Sequence, residues 1–200
     1  MVDQLTEEEI AQRLRQFEHP AYSELAQEAV KKAVRPAAVL IPLFRRVDEW
    51  HILYTRRTDS VEHHKGQVSF PGGATDPGDQ SAEDTALRET EEEIGIQRGD
   101  VRLLGRLGRM VTISNYEITP VVGVVPWPYA YRVHTVEVGR VFSMPLAWLA
   151  ARDNWQELVR AETGHAVITY MPYDGELLWG ATARMTVNFV NALGLGGEKY

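Results

Sequence analysis

Glu89, Glu92 and Glu93 are the residues of this chain whose type and spacing most directly suggest chemistry. They stand at i, i+3 and i+4, so an α-helix would put all three carboxylates on one face. Like charges held that close repel one another and destabilise a bare helix. A hard divalent cation with a preference for oxygen ligands, Mg²⁺ or Mn²⁺, would reverse the sign of that interaction. The segment therefore reads as half of a metal site. Arg88, four residues before Glu92, can hold a carboxylate in place by a charge-assisted bond.

The flanking residues suit such a helix. Ser81 followed by Asp84 is an N-cap with an acidic variant of the capping box, and Glu83 and Asp84 favour the positive end of the helix dipole. Ala86, Leu87, Thr90 and Ile94 cluster on another face, which should pack inward, and Gly95 stops the helix. Upstream, a diglycine turn at Pro71-Gly72-Gly73 would let the backbone approach a metal or phosphates without obstruction from side chains. Acidic runs on helices are usually solvated faces, so the distribution of charge matters. Residues 76–93 hold eight acidic side chains and one arginine, a net of −7, which equals the formal charge of the whole chain. The rest balances at 20 acidic against 20 basic residues. The acidity is local, as a site requires and a generally acidic, solvating protein does not.

The segment resembles the Nudix box, the 23-residue signature G-x5-E-x7-R-E-U-x-E-E-x-G-U, in which U is bulky and apolar. Arg88, Glu89, Glu92, Glu93, Gly95 and Ile96 match it position by position. Thr90 replaces an apolar residue, Gly73 precedes Arg88 by 15 positions rather than 14, and Asp79 stands where the box has glutamate. The resemblance implies an α/β/α sandwich with a mixed sheet, and hydrolysis of a nucleoside diphosphate linked to another moiety. It implies Glu89 and Glu93 as principal metal ligands, Glu92 as a supporting ligand, the Gly73 or Ala74 carbonyl as a further oxygen, and Arg88 as the orienting group. Related enzymes draw another carboxylate from a distant segment. Glu137, about eight residues before Pro145, is the candidate base, and Glu117 its competitor.

Two hundred residues with 44% hydrophobic content suffice for one domain with a sizeable core. We expect an N-terminal helical extension over residues 1–34 and the hydrolase domain over 35–200. No run of about 18 apolar residues suggests a membrane span, and the acidic start MVDQLTEEEI lacks the apolar core of a signal peptide. With zero cysteines, disulfides and thiolate chemistry are excluded. A cytoplasmic protein is expected. An acidic balance without a basic stripe argues against non-specific nucleic-acid binding.

The elements that must position the site follow from pattern. Thr6 with Glu9 caps a first helix in which Ile10, Leu14 and Phe17 recur at helical spacing, and a second amphipathic segment spans 21–34. These helices could cover an edge strand or serve a homodimer interface; composition does not choose. Residues 37–44 and 50–55 form paired strands around a turn at 47–49, and 66–70 form a further short strand. Later strands are expected over 101–107, 117–125, 133–142 and 165–170. A short helix opens at Pro145 and runs to Ala150, and a last one covers 181–193.

Residues 53–73, LYTRRTDSVEHHKGQVSFPGG, resemble the motif L-L-T-x-R-S-x3-R-x3-G-x3-F-P-G-G of the coenzyme A pyrophosphatase branch. R-P-A-A-V-L-I-P at 35–42, T-P-V-V-G at 119–123 and W-G-x-T-A at 179–183 point the same way. Such enzymes cleave coenzyme A to 3′,5′-ADP and 4′-phosphopantetheine. Thr58 replaces the motif serine, and Glu62 stands where the motif has arginine, a charge reversal. Arg56, Arg57 and Lys65, with His63 and His64, are the candidates to bind substrate phosphates. The alternatives are an ADP-ribose, NADH or other nucleotide pyrophosphatase, or a ligand-binding module of the same fold without catalysis.

Overall fold

The computed structural model describes residues 2–18, 34–58, 65–159 and 166–196. The first helix, α1 (Glu7–Gln16), starts at a complete capping box. Thr6 Oγ1 accepts the Glu9 N–H, and Glu9 Oε2 accepts the Thr6 N–H at 2.8 Å. The expected second amphipathic segment at 21–34 falls almost wholly outside the described residues.

β1 (Arg35–Arg46) and β2 (Glu49–Arg57) form the expected hairpin, paired from Leu43↔Ile52 to Arg46↔Glu49. Beyond that point the two strands splay. The gap takes in β3 (Val68–Ser69), paired with β2, and β4 (Gly72–Ala74), paired antiparallel with Ala37–Val39 of β1. The diglycine expected as a turn is therefore a short strand. Gly72, at φ +155°, leaves no room for a Cβ, which would run into the Ala38 carbonyl and the Val39 side chain. Backbone is pressed against backbone here.

The helix α2 (Ala82–Ile94) follows β4. The sheet is completed by β5 (Arg102–Arg106), β6 (Met110–Val111), β7 (Tyr116–Val124) and β8 (Val138–Pro145). β7 runs parallel to β1 in register Arg35↔Tyr116 through Leu43↔Val124, while β8 pairs antiparallel with β2. Among the described residues these eight strands make one mixed sheet, with the path β3-β2-β1-β7-β5. A short helix α3 (Leu146–Ala150), a separate hairpin of β9 (Trp155–Val159) and β10 (Ala166–Tyr170), and the helix α4 (Gly180–Ala192) complete the chain.

β1 is buried on both faces, and its alternation sorts the two helical layers. Val39, Ile41 and Leu43 share a core with Ile10 and Leu14 of α1, Leu146 and Leu149 of α3, and Met185 and Phe189 of α4. Ala38 and Leu40 face the other way, against Ala86 of α2, and Phe44 and Leu53 pack near Ile94 and Ile96. The result is the expected α/β/α sandwich. Residues 133–137 differ from expectation: they lie outside the strand, with the His134 N–H bonded to the end of α2 and the Glu137 N–H turned back to the His134 carbonyl. Leu87 also differs, being only partly covered, whereas Thr85, Ala86, Thr90 and Ile94 are buried.

α1 rests on β5, tied by Arg102 to Glu7 at 2.6 Å and by Arg13 to the Leu193 carbonyl. Its apolar stripe belongs to the main core. Leu14→Ala is therefore expected to cost about 2–5 kcal/mol in urea unfolding, in a single transition that also carries α4. A change under roughly 0.5 kcal/mol would show α1 to be a detachable appendage.

Candidate active site

The local sequence explains how α2 presents its carboxylates. Ser81 caps the helix by accepting the Asp84 N–H at 3.1 Å. Asp84 does not complete the box; its carboxylate accepts the Gln80 N–H at 3.1 Å and pairs with Arg98 at 2.8 Å. At the other end Gly95 adopts the left-handed conformation, φ 74°, and returns its N–H to the Glu91 carbonyl. The two preceding carbonyls are taken up from outside the helix: Arg132 N–H donates to Ile94 O at 2.9 Å and His134 N–H to Glu93 O at 2.8 Å. The 132–137 segment is thus docked on the end of α2.

Arg88 is the electrostatic centre of the helix. Its Nε and Nη2 grip Asp79 through both carboxylate oxygens at 3.0 Å. Nη1 reaches Glu89 at 2.9 Å and Glu92 at 3.1 Å, and Nη2 also donates to the Ala74 carbonyl at 3.0 Å. Asp79 in turn accepts the Asp76 N–H and the Thr85 hydroxyl, both at 2.9 Å. Arg88 holds the Asp79 carboxyl far below the ordinary carboxylate range. The box departure at Asp79 thereby acquires a function: an acid two residues ahead of the N-cap anchors the guanidinium that spans the glutamates.

An open cleft of about 370 Å³ is lined by Glu89, Glu92, Glu93, His134 and Glu137. The three box glutamates and the distant Glu137 are brought together. Glu93 is the deepest, 6% exposed, with Oε2 accepting the Gly72 N–H at 3.3 Å. Burial pushes its carboxyl up to about 8, and the negative charges of Glu89 and Glu137 add to the rise. Glu89 is raised as well, by burial first, with Arg88 opposing. Gly73 lies directly beneath Glu89. A Cβ there would sit 2.5 Å from the Glu89 carboxyl, so the missing side chain is the space Glu89 occupies. Of the two carbonyls weighed as ligands, that of Ala74 is engaged by Arg88.

The basic candidates separate. Arg57 reaches the cleft, its Nη1 3.9 Å from Glu93 Oε1, and its buried Nε has no hydrogen-bond partner. Arg56, one residue earlier on an alternating strand, projects to the opposite face, where Nε lies 3.8 Å from Glu176. Lys65 is exposed and does not line the cleft, and Glu62, His63 and His64 fall outside the described residues. Glu117 also lies elsewhere, paired with Arg109 at 3.2 Å. His134 was missed by sequence reading. Its only signal is its place three residues before Glu137, whose carboxylate lies 3.9 Å from Nδ1.

Among the described residues, no three acidic or imidazole side chains close tightly enough to enclose an ion as they stand, since Arg88 draws Glu89 and Glu92 to itself. The donor set nevertheless has the chemistry of a hard-cation site: clustered carboxylate oxygens, two of them on groups whose charge burial disfavours.

The profile of the NUDIX domain matches residues 34–138, which run from the start of β1 through the catalytic-helix segment to Val138. The chain belongs to the Nudix family. It is 41% identical over 149 residues to the uncharacterized Nudix hydrolase NudL of Yersinia enterocolitica, spanning 74% of this chain and 75% of that protein. NudL of Yersinia pestis is 42% identical over 151 residues, with the same shares covered. Among solved structures, a MutT/nudix family protein from Enterococcus faecalis superposes with a TM-score of 0.55, covering 96% of this chain and 70% of that one at 16% identity. That likeness extends the shared fold beyond the profile to nearly the whole chain. Nudix hydrolases generally use divalent metal ions. Among the described residues, no helix is long and apolar enough to cross a membrane.

The buried Glu93 makes a prediction about stability. In EDTA its folded carboxyl titrates near 8 and its unfolded one near 4.5. Between these values the folded state holds the extra proton, so its stability falls as pH rises. Glu93→Gln should therefore melt above the wild type in EDTA at pH 8.5, by an amount on the order of a few kcal/mol, and close to it at pH 4.5. Saturating Mg²⁺ should shrink the gap. A gap in EDTA that does not change with pH overturns the assignment.

Proposed function

We propose that this Nudix hydrolase is an Mg²⁺- or Mn²⁺-dependent pyrophosphatase whose substrate is coenzyme A, cleaved to 3′,5′-ADP and 4′-phosphopantetheine. The observation that carries the catalytic part is the convergence of Glu89, Glu92, Glu93 and Glu137 on one cleft. The coenzyme A assignment rests on the branch motif, of which Leu53, Thr55, Arg57, Gly66, Phe70, Pro71, Gly72 and Gly73 are retained. Three groups of the motif frame the site: Arg57 beside Glu93, Gly72 donating to Glu93, and Gly73 under Glu89.

A pyrophosphate is polyanionic, and an acidic cleft alone would repel it. Bound divalent ions supply the positive charge that neutralises phosphate oxygens and acidifies water. Glu89 and Glu93 would hold them, with Glu92 and the Gly73 carbonyl in support, and Arg88 orients Glu89 and Glu92. Glu137 projects into the cleft from the opposite wall, where it accepts the proton of the attacking water. Arg57 supplies a fixed positive charge beside Glu93, with a partly exposed guanidinium whose Nη groups can donate to a phosphate oxygen. Retention of Glu89, Glu92 and Glu93, the three helix glutamates of the box, favours catalysis over a ligand-binding module, which has no use for a self-repelling cluster.

The test is a panel of coenzyme A, ADP-ribose, NADH and diadenosine polyphosphates, with products identified by mass. Coenzyme A should give 3′,5′-ADP with the highest kcat/KM; preference for another member removes the substrate assignment. In the same assay Glu89→Gln should lower kcat roughly 100-fold or more at saturating Mg²⁺. Full activity of that variant would end the metal-ligand assignment. Gly73→Ala separates function from folding. The nearest atoms to its new Cβ are the carboxyl end of the flexible Glu89 side chain, so unfolding stability should hold while Mn²⁺ affinity drops about tenfold by titration calorimetry. Unchanged affinity would show that Glu89 does not bind the ion.

A further inference from the structure

We propose that Thr58 is a positioning residue that aims Glu137 into the cleft. The inference rests on the reading of Glu137 as the base. The pairing of β2 with β8 shifts register between Arg56↔Arg140 and Arg57↔Val138, leaving Gly139 as the extra residue. The strand ends at Val138, so Glu137 lies just beyond the regular ladder. Thr58 takes over there. Its N–H donates to the Glu137 carbonyl at 2.8 Å and its Oγ1 donates to the Val136 carbonyl at 2.7 Å.

These two carbonyls belong to the peptide planes on either side of the Glu137 Cα. Fixing both planes fixes φ and ψ of Glu137 and hence the direction of its Cα–Cβ bond. From the other side, the Glu137 and Val138 N–H groups both donate to the His134 carbonyl, at 3.0 and 2.9 Å, while the His134 N–H is bonded to Glu93. Glu137 is thus bracketed between Thr58, just past β2, and the end of the glutamate helix, with the Thr58 hydroxyl holding one of its two flanking peptide planes. Gly139 lies against Thr58, with room for a Cβ only at 3.6 Å contact. The hydroxyl is also what this chain shares with the serine of the branch motif, so the Ser-to-Thr exchange keeps the group that matters.

Thr58→Val preserves shape and the backbone N–H but removes the hydroxyl. With coenzyme A as substrate, or ADP-ribose where coenzyme A is not cleaved, it should lower kcat about tenfold with KM within twofold and Mn²⁺ affinity unchanged. Thr58→Ser should recover most of the loss. On a Glu137→Gln background, Thr58→Val should cost nothing further, because the group it aims has been disabled. Losses that multiply in the double variant, or a serine variant as slow as the valine one, overturn the proposal. Full activity of Glu137→Gln alone would instead remove the reading of Glu137 as base, and full activity of Thr58→Val beside an impaired Glu137→Gln removes only the role of Thr58.

Discussion

The site depends on a repulsion kept in check. Four carboxylates face one cleft, and burial disfavours the charge on two of them, Glu89 and Glu93. Arg88 is the counter-charge that makes the arrangement tenable, and Asp79 is what keeps Arg88 in place. A guanidinium suits this task because its planar fork can grip one acid through two parallel bonds while its remaining donors span two others and a carbonyl. A lysine would deliver the charge without the geometry. Asp79 carries no reactive role, yet its carboxylate is the most completely satisfied in the region.

The sheet serves the same end. β1 supports α2 through the small Ala38, pairs with β4 through Ala37–Val39, and carries the core of the opposite layer through Val39, Ile41 and Leu43. The helix and the diglycine strand thus rest on one strand and are tied to each other by Arg88 to the Ala74 carbonyl and the Gly72 N–H to Glu93. Splaying of the β1–β2 hairpin opens the gap that β3 and β4 fill, and β2 emerges from it with Arg57 and Thr58 at the rim of the cleft. Groups around the cleft from four separated parts of the chain are thereby referred to one rigid frame.

Much of this was legible in the residues. The i, i+3, i+4 spacing of the glutamates, the capped first helix, the β1–β2 hairpin and Glu137 all lie where pattern and resemblance place them. What escaped had physical reasons. Diglycine reads as a turn, but here it is strand backbone pressed onto Ala38, a tertiary contact that no local rule reports. Residues 133–137 look β-prone, yet the His134 amide caps the open carbonyl end of α2 and the Glu137 amide turns back to the His134 carbonyl. Adjacent arginines must point to opposite faces of a strand, but only the packing of β2 decides that Arg57 meets Glu93 and Arg56 meets Glu176. The strand Trp155–Val159 places Gln156 and Glu157 among its apolar residues, so its alternation is poor and it passed unnoticed. The Asp79–Arg88 grip joins residues nine apart across a helix cap, beyond the reach of periodicity.

Gly73 gives up the space of a side chain to the Glu89 carboxyl. Main chain held in a sheet has no rotamers to freeze, so the peptide beneath Glu89 is ordered before any ligand arrives. The loss of freedom on association is confined to side chains, and Arg57 and the glutamates carry long ones. Selection among competing ligands is therefore an affair of those side chains.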